Sequence, residues 1–298
     1  MDGYNIIGCD ALNVGTNDFG AGLDFLMNLK ESAEFPFISA NIVREDSGEL
    51  LFDPYVIVGN GDLTFAVIGL TTTLPRNVEN LGLRDPVAEG KKFLQDLSAE
   101  TDYQIILFNG SWKEVSDARG PLADAEFIFL SGDVKDPNWR TGQPAAGPKL
   151  YRLGKQGKSL GVIRMSVESM DGPLTDVTRL KQRQGFITLR LERLESRDPS
   201  RNLEEMYKGN PRALESIRKM KEEASRIEGE LARFENTVEF DFVAMGKSIR
   251  DDPTLLSMVS STLSACSELK AGSSGKESVS SSTAPVPGNV ESSGRLRQ

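Results

Sequence analysis

Two apolar stretches decide the fold of this chain: YQIILF at residues 103–108 and AEFIFL at residues 125–130. Each has the length and the apolar, aromatic content of a buried strand. Residues 112–122, which lie between them, are compatible with a helix. A strand, helix, strand unit of this kind is typical of a layered α/β sheet, in which the functional loops follow the carboxyl ends of the strands. We therefore predict an α/β fold.

The same alternation extends towards the start of the chain. Asn60-Gly61 separates two strand-like runs and is a strong signal for a hairpin turn. Asp85-Pro86 predicts the start of a helix, because proline fits the first helical position. The other predicted elements are the end of a helix at residues 1–8, helices at residues 22–31 and 86–97, strands at residues 11–14, 37–43, 55–58 and 65–70, and a final antiparallel pair of strands at residues 150–153 and 160–167.

The residues after Gly172 have the composition of charged helices. Apolar residues recur at spacings of three and four in residues 187–234, and Pro211 stands where the second of two helices would begin. The pattern predicts a helical hairpin of coiled-coil type. Two interpretations remain open: the hairpin packs on its own domain, or it is a dimerisation device, so that residues 187–234 would contact a protein partner. A strand, a helix from Asp252-Pro253 and a disordered Ser-, Gly- and Pro-rich tail at residues 271–298 complete the prediction.

The composition excludes several classes of protein. The 298 residues carry a formal net charge of −9 and contain no histidine, the commonest transition-metal ligand and general base. Cys9 and Cys266 have no metal-binding or disulfide spacing. The acidic charge disfavours nucleic acid as a partner, and no apolar run is long enough for a transmembrane segment. Residues 1–5 do not resemble a signal peptide, so we expect a cytoplasmic protein if Met1 is the true start.

Five collinear stretches resemble the 5'-nucleotidase and UDP-sugar hydrolase type of calcineurin-like metallophosphatase. They are GCDALNVGTNDF (residues 8–19), FPFISANI (residues 35–42), FDPYVI (residues 52–57), AVIGLTT (residues 66–72) and GKSLG (residues 157–161). The resemblance implies a layered β-sheet sandwich flanked by helices and incomplete at the N-terminus. We therefore divide the chain into a metallophosphatase-like domain lacking its first strands (residues 1–168), a helical hairpin with a strand and a terminal helix (residues 169–270), and a disordered tail (residues 271–298).

The resemblance also implies where catalytic groups would lie. The family uses a dinuclear divalent metal site, in which two cations stabilise the attacking and the leaving oxygen. Five loop motifs supply the ligands, and the first two would precede Met1. The positions that match the remaining three motifs are Thr16 and Asn17 for the third, Asn109 for the fourth, and Asp133 and Lys135 for the fifth.

None of these positions keeps the histidine of the family motif, so we predict a degenerate site and expect no cofactor. Asn109 and Asp133 offer oxygen donors to a hard cation such as Mg²⁺ or Ca²⁺. Lys135 would place a positive charge where that cation should lie. The simpler interpretation is that these are solvated loop residues. Asp18 either caps the following loop, which we favour, or keeps the local turn of the family motif.

These observations favour a non-catalytic 5'-nucleotidase-like module that acts as a binding or scaffold domain. The alternative is a metal-dependent phosphoesterase that hydrolyses nucleotides and whose N-terminal motifs are missing from this chain. Residues 240–259 are similar to the end of nucleotidase-like modules found beside multihaem cytochromes, which implies an association with such systems, although no C-x-x-C-H haem motif is present. Because the family is usually periplasmic or exported, the location is open between export and the cytoplasm.

Overall fold

A computed structural model describes residues 1–76, 78–133, 147–155, 157–170 and 172–274 of the protein, with side chains up to residue 269. The helices are α1 (Asp2–Ile7), α2 (Leu23–Glu31), α3 (Pro86–Leu97), α4 (Trp112–Arg119), α5 (Thr178–Glu195), α6 (Leu203–Met206), α7 (Pro211–Leu231) and α8 (Pro253–Ser274), and a 3₁₀ helix spans Thr16–Ala21. The strands are β1 (Leu12–Asn13), β2 (Phe37–Ile38), β3 (Ile42–Arg44), β4 (Tyr55–Asn60), β5 (Leu63–Thr71), β6 (Leu81–Leu83), β7 (Tyr103–Asn109), β8 (Phe127–Ser131), β9 (Lys149–Arg152), β10 (Ser159–Ser166), β11 (Thr175–Asp176) and β12 (Thr237–Ala244). These residues form two compact units, one from Met1 to Ile249 and one that begins at Arg250.

A five-stranded sheet with the order β4-β5-β7-β8-β9 lies at the centre of the first unit. Strands β5, β7, β8 and β9 run parallel, and β4 pairs antiparallel with β5. The turn between β4 and β5 contains Gly61, whose φ of 64° is available to glycine at little cost. The predicted hairpin at Asn60-Gly61 and the predicted α/β sheet are both confirmed.

Helices α3 and α4 cover one face of this sheet and complete the main core. Buried residues of the strands, such as Ile68, Ile106 and Ile128, pack against Leu94 of α3 and Val115 of α4. The predicted start of α3 is confirmed, because Pro86 is its first residue and the Asp85 carboxylate accepts a hydrogen bond of 2.7 Å from the Ala88 amide.

The opposite face of the central sheet packs on a second sheet, which has the order β10-β12-β11. Tyr151 of β9 stacks on Phe240 of β12, with ring centres 4.2 Å apart. Phe127 and Val238 are buried in the same apolar cluster. Two sheets that share a core form a layered sandwich, as predicted.

The predicted antiparallel pair at residues 150–153 and 160–167 is wrong. Strand β9 pairs parallel with β8, whereas β10 pairs antiparallel with β12 over eight residues, from Ser159 opposite Ala244 to Ser166 opposite Thr237. Both strands exist, but their partners are distant in sequence. A local apolar pattern identifies a strand without identifying the strand it pairs with.

The single strand predicted at residues 37–43 is divided into β2 and β3. Asn41, which is fully buried, lies in the gap between them. Its side chain accepts a 2.9 Å hydrogen bond from the Thr71 amide and donates a 2.7 Å hydrogen bond to the Thr71 carbonyl. The Asn41 side chain thus forms the hydrogen bonds that a neighbouring strand would form with Thr71 at the end of β5. The backbone at Asn41 can then turn between β2 and β3.

The predicted helical hairpin is confirmed as the antiparallel pair α5 and α7, with the short α6 between them. Ile187, Ile217 and Ile227 are almost fully buried in one cluster with Leu203 of α6. Arg183 on α5 and Glu223 on α7 form an ion pair of 2.7 Å across the outside of the pair. The apolar seam that the sequence predicted is therefore covered within the hairpin itself.

In the second unit, helix α8 begins at Pro253, as the sequence predicted, and the Asp252 carboxylate accepts hydrogen bonds from the amides of Thr254 and Leu255. The helix extends to Ser274, four residues into the segment predicted to be disordered. Residues 275–298 lie outside the described residues. Among the helices that are described, none is both long enough and apolar enough to cross a bilayer.

Candidate functional site

The carboxyl ends of three parallel strands and the loop after β1 meet around one cleft of about 500 Å³. Strand β5 ends at Thr71, β7 at Asn109 and β8 at Ser131. The cleft is lined by Thr16, Asn17, Thr72, Thr73, Asn109, Gly110, Ser111, Glu114, Gly132 and Asp133. Ligands of open α/β sheets bind outside the carboxyl ends of the strands, so this cleft is the candidate site.

The loop after β1 enters the cleft through Gly15 and Thr16. The Thr16 amide donates a 3.2 Å hydrogen bond to Oδ1 of Asn109, and its hydroxyl donates a 2.8 Å hydrogen bond to the Thr73 carbonyl. Gly15 allows this approach: a Cβ atom at position 15 would lie 2.5 Å from the Asn109 side chain. Asp18 closes the turn that precedes it, because its carboxylate accepts a 2.7 Å hydrogen bond from the Gly15 amide, whereas a cap of the following loop was predicted.

Asn109 holds three chain segments together at the centre of the cleft. Its Oδ1 atom accepts from the amide and the hydroxyl of Thr16, at 3.2 and 3.3 Å. Its Nδ2 atom donates a 3.0 Å hydrogen bond to the hydroxyl of Ser131 at the end of β8. Both ends of the amide side chain are thus engaged with protein atoms, and Asn109 fixes the geometry of the site.

Asp133 lies at one side of the cleft with its carboxylate in an ion pair. Nη1 of Arg152 is 3.1 Å from Oδ2 of Asp133, and the two side chains are only 13% and 9% exposed. The Arg152 guanidinium lies over the ring of Trp112, 4.7 Å from its centre. The negative charge of Asp133 is therefore neutralised by a cation that is itself held in place by an aromatic ring.

The start of α4 provides the second carboxylate of the cleft. Glu114 accepts hydrogen bonds of 2.6 Å from the hydroxyl and 2.8 Å from the amide of Ser111, which form a capping box. These hydrogen bonds hold the pKa of the Glu114 carboxyl below its ordinary value. A carboxylate stabilised in this way is a weak proton acceptor.

The structure brings together four of the five positions that the sequence singled out. Thr16, Asn17, Asn109 and Asp133 line one cleft, whereas Lys135 falls in residues 134–146, outside the described residues. Thr72 and Thr73 were not predicted to be site residues, although their place directly after β5 is a signal that could have found them. Arg152, which no local pattern connects to Asp133, was not predicted either.

The comparisons with known proteins support the resemblance to 5'-nucleotidases. Protein UshA of Salmonella pullorum is 37% identical over 111 residues, and the 5'-nucleotidase of Vibrio cholerae serotype O1 is 36% identical over 111 residues. Each match covers 35% of this chain but only 20% of the relative's own length. No family model matches the chain. The sequence resemblance is therefore confirmed for about a third of the chain.

A similar solved structure is that of the calcineurin-like phosphoesterase YfkN from Bacillus subtilis. It is 22% identical and has a TM-score of 0.49, and the match covers 57% of this chain and 61% of that chain. A putative 5'-nucleotidase from Staphylococcus aureus matches with 20% identity and a TM-score of 0.46, over 56% of this chain and 36% of that chain.

One expectation from the sequence is contradicted. We expected no cofactor, whereas the homologues of this chain are metallophosphatases of a family that uses divalent metals. The expectation of a dinuclear metal site as the family's cofactor stands. The suggested link with multihaem cytochromes has not been tested and stays a prediction, as do the domain boundaries.

The described residues of this cleft do not fit such a dinuclear site. Within the part of the chain that the structure describes, no three Asp, Glu, Cys or His side chains are grouped so that they could hold a metal ion. The Oδ1 atom of Asn109 accepts from Thr16, and Oδ2 of Asp133 is paired with Arg152. The two weak candidates for metal ligands are thus bound to protein groups, and we derive no catalytic step through a metal.

Proposed function

We propose that this chain is a 5'-nucleotidase-like module that does not hydrolyse phosphate esters and acts as a binding or scaffold domain. The identity of 35% to 38% over 111 or 112 residues with UshA and with 5'-nucleotidases gives the general class. The ion pair between Asp133 and Arg152 is the observation that carries the proposal. Asp133 matches a histidine position of the family's fifth motif, and its carboxylate is paired with the Arg152 guanidinium.

Hydrolysis of a phosphate ester needs an activated water and a group that stabilises the charge of the leaving oxygen. The chain has no histidine to serve as general base. Glu114 is a poor substitute, because its hydrogen bonds with Ser111 lower its pKa. Arg152 offers a positive charge, but Asp133 already neutralises it at 3.1 Å. The cleft thus supplies neither an efficient base nor an uncompensated cation among its described residues.

The fixed hydrogen bonds of the cleft give it a role as a scaffold. Thr16, Asn109 and Ser131 connect the loop after β1 to the ends of β7 and β8. These side chains bind one another across the cleft. The ordered loops then keep the sheet and the helices that cover it in a fixed arrangement, to which another molecule can bind.

The experiment is an assay of phosphate release from the purified full chain. Nucleoside monophosphates, a UDP-sugar and p-nitrophenyl phosphate are each incubated with Mg²⁺, Mn²⁺, Co²⁺ or Zn²⁺, and parallel samples contain EDTA. The proposal predicts release at the rate of the protein-free control under every condition. Metal-dependent hydrolysis that co-purifies with the chain would instead support the alternative function, a metal-dependent phosphoesterase.

A further inference from the structure

One face of helix α5 exposes apolar and basic side chains together. Phe186 and Leu189 are 53% and 65% exposed, which is high for large apolar residues. Arg190 and Arg193 are exposed on the same face, because residues three or four positions apart lie side by side on a helix. With Leu194 and Arg197 these four side chains line a groove of about 390 Å³. We call these six residues the α5 groove.

Of the six groove residues, Leu194 packs against the buried cluster of the hairpin, whereas Phe186 and Leu189 remain exposed. The buried cluster of the hairpin uses Ile187 of α5, which faces Ile217 and Ile227 of α7. Leu189 is a further apolar residue of α5 that remains in solvent. An exposed apolar surface bordered by charges is typical of a site that binds another molecule.

The arginines of the α5 groove differ from others on the hairpin. Arg183, Arg218 and Arg226 each form ion pairs with glutamates of the hairpin. Among the described residues, no ion pair includes Arg190 or Arg193, and Arg197 donates a 3.2 Å hydrogen bond to the Tyr207 hydroxyl. In a chain with a net charge of −9, the groove thus holds a local excess of positive charge that the hairpin does not neutralise.

We propose that the α5 groove docks an acidic amphipathic helix of another protein. Aliphatic side chains of that helix pack on Phe186 and Leu189, and its carboxylates pair with Arg190 and Arg193. An elongated apolar groove flanked by charges of one sign is the surface that a helix of the opposite charge complements. The inference deepens the proposed binding role and rests on it, since it names the surface and the class of partner.

An anionic membrane is a less suitable occupant of the groove. A lipid surface is flat, and it repels a protein whose net charge is −9 as a whole. Membrane-bound helices of this type have lysine and arginine along their whole polar face, whereas α5 also has Glu192 and Glu195 in its last turn. We therefore commit to a protein helix and treat lipid binding as an outcome of the test.

The test uses a fluorescein-labelled helical peptide that has leucine at positions i, i+3 and i+7 and glutamate at the flanking positions. Its affinity for the full chain is measured by fluorescence anisotropy at low salt. A second peptide has lysine in place of each glutamate. We expect the acidic peptide to bind at least about tenfold more tightly than the basic one, because the charges complement the groove.

Variants of the groove make the test specific. Arg190→Glu with Arg193→Glu should weaken binding of the acidic peptide by at least about tenfold and should make the basic peptide the tighter ligand. The matched control is Arg212→Glu with Arg233→Glu, which makes the same change in charge at exposed positions of the hairpin outside the groove. This control should bind the acidic peptide within about twofold of the wild type. Leu189→Ser should weaken binding several-fold without reversing the preference.

Four outcomes would overturn the proposal. The first is that the acidic peptide does not bind detectably, and the second is that the groove and control variants lose binding equally. The third is that the chain sediments with phosphatidylglycerol vesicles through Arg190 and Arg193 but does not bind the peptide. The fourth is that the chain associates with itself through the groove. None of them bears on phosphate release. The binding test can therefore fail while the chain remains inactive as a phosphoesterase, and the two failures are distinguishable.

Discussion

The carboxylate of Asp133 and the guanidinium of Arg152 form a largely buried ion pair of 3.1 Å at the carboxyl end of the central sheet. Asp133 follows β8, and Arg152 is the last residue of β9. Because β8 and β9 are parallel neighbours, their carboxyl ends place these two residues beside each other. The contact couples the candidate site to the stability of the sheet.

Replacing Arg152 by alanine should destabilise the protein by roughly 3 kcal/mol, because the largely buried Asp133 carboxylate would lose its ion pair with the guanidinium. The free energy of unfolding is measured by urea denaturation followed by circular dichroism. Arg164→Ala is the control, since Arg164 pairs with Asp241 at 3.3 Å with side chains 57% and 48% exposed. The control should cost less than about 1 kcal/mol. Equal effects of the two substitutions would contradict the structural role of the buried pair.

Gly15→Ala should disturb the cleft, because the new Cβ atom would lie 2.5 Å from the side chain of Asn109. Relief of this clash requires the loop after β1 to move away from β7, which should cost about 1–3 kcal/mol. Gly20 belongs to the adjoining 3₁₀ helix, and a Cβ atom at position 20 meets nothing within 4 Å. Gly20→Ala should therefore leave the unfolding free energy within about 0.5 kcal/mol of the wild type. If Gly15→Ala kept the unfolding free energy of the wild type, the contact between Gly15 and Asn109 would be looser than the 2.5 Å approach implies.

Lys149 should make stability rise with pH in the alkaline range. It is only 8% exposed, and burial lowers the pKa of its amino group below the ordinary value of 10.5, against the opposing effect of Asp176 and Glu126. Between the folded pKa and 10.5 the unfolded chain binds more protons than the folded chain, so raising the pH favours the folded state. Below the folded pKa, the full cost of burying the charge is present.

The measurement is the unfolding free energy of the wild type and of Lys149→Met from pH 8 to pH 10.5. The difference between the two proteins isolates Lys149 from the other groups that titrate in this range. The wild type should gain stability relative to the variant as the pH rises towards 10.5. Parallel pH curves, or a relative loss by the wild type, would show that burial does not lower the pKa of Lys149.

The sequence identified most elements of the fold because their signals are local. Asp85-Pro86 starts a helix and Asn60-Gly61 turns a hairpin through interactions among near neighbours. The partner of β10 was not predictable in this way, since Ser166 pairs with Thr237 across the whole helical hairpin. Asn41 likewise ends a strand through contacts with Thr71, thirty residues away.

In the candidate site, too, local sequence signals were predictable and contacts between distant residues were not. Thr16, Asn109 and Asp133 were predicted to belong to one site because the resemblance matches them to three motifs of the family, and the structure places them in one cleft. Their hydrogen-bond partners depend on the distance between strand ends, which the sequence does not give. Arg152 is the clearest case, because a residue at the end of an edge strand acquires its role only when β9 is placed beside β8.

Metal-stimulated phosphate release by the wild type beside Asp133→Asn tests the proposal that the cleft does not hydrolyse phosphate esters. Both proteins are freed of metal by a chelator, dialysed and assayed with added Mn²⁺ on a nucleoside monophosphate. The account predicts that neither protein releases phosphate faster than buffer containing the same metal. Metal-dependent release by the wild type that Asp133→Asn abolishes would place a working phosphoesterase centre in this cleft and would contradict the account.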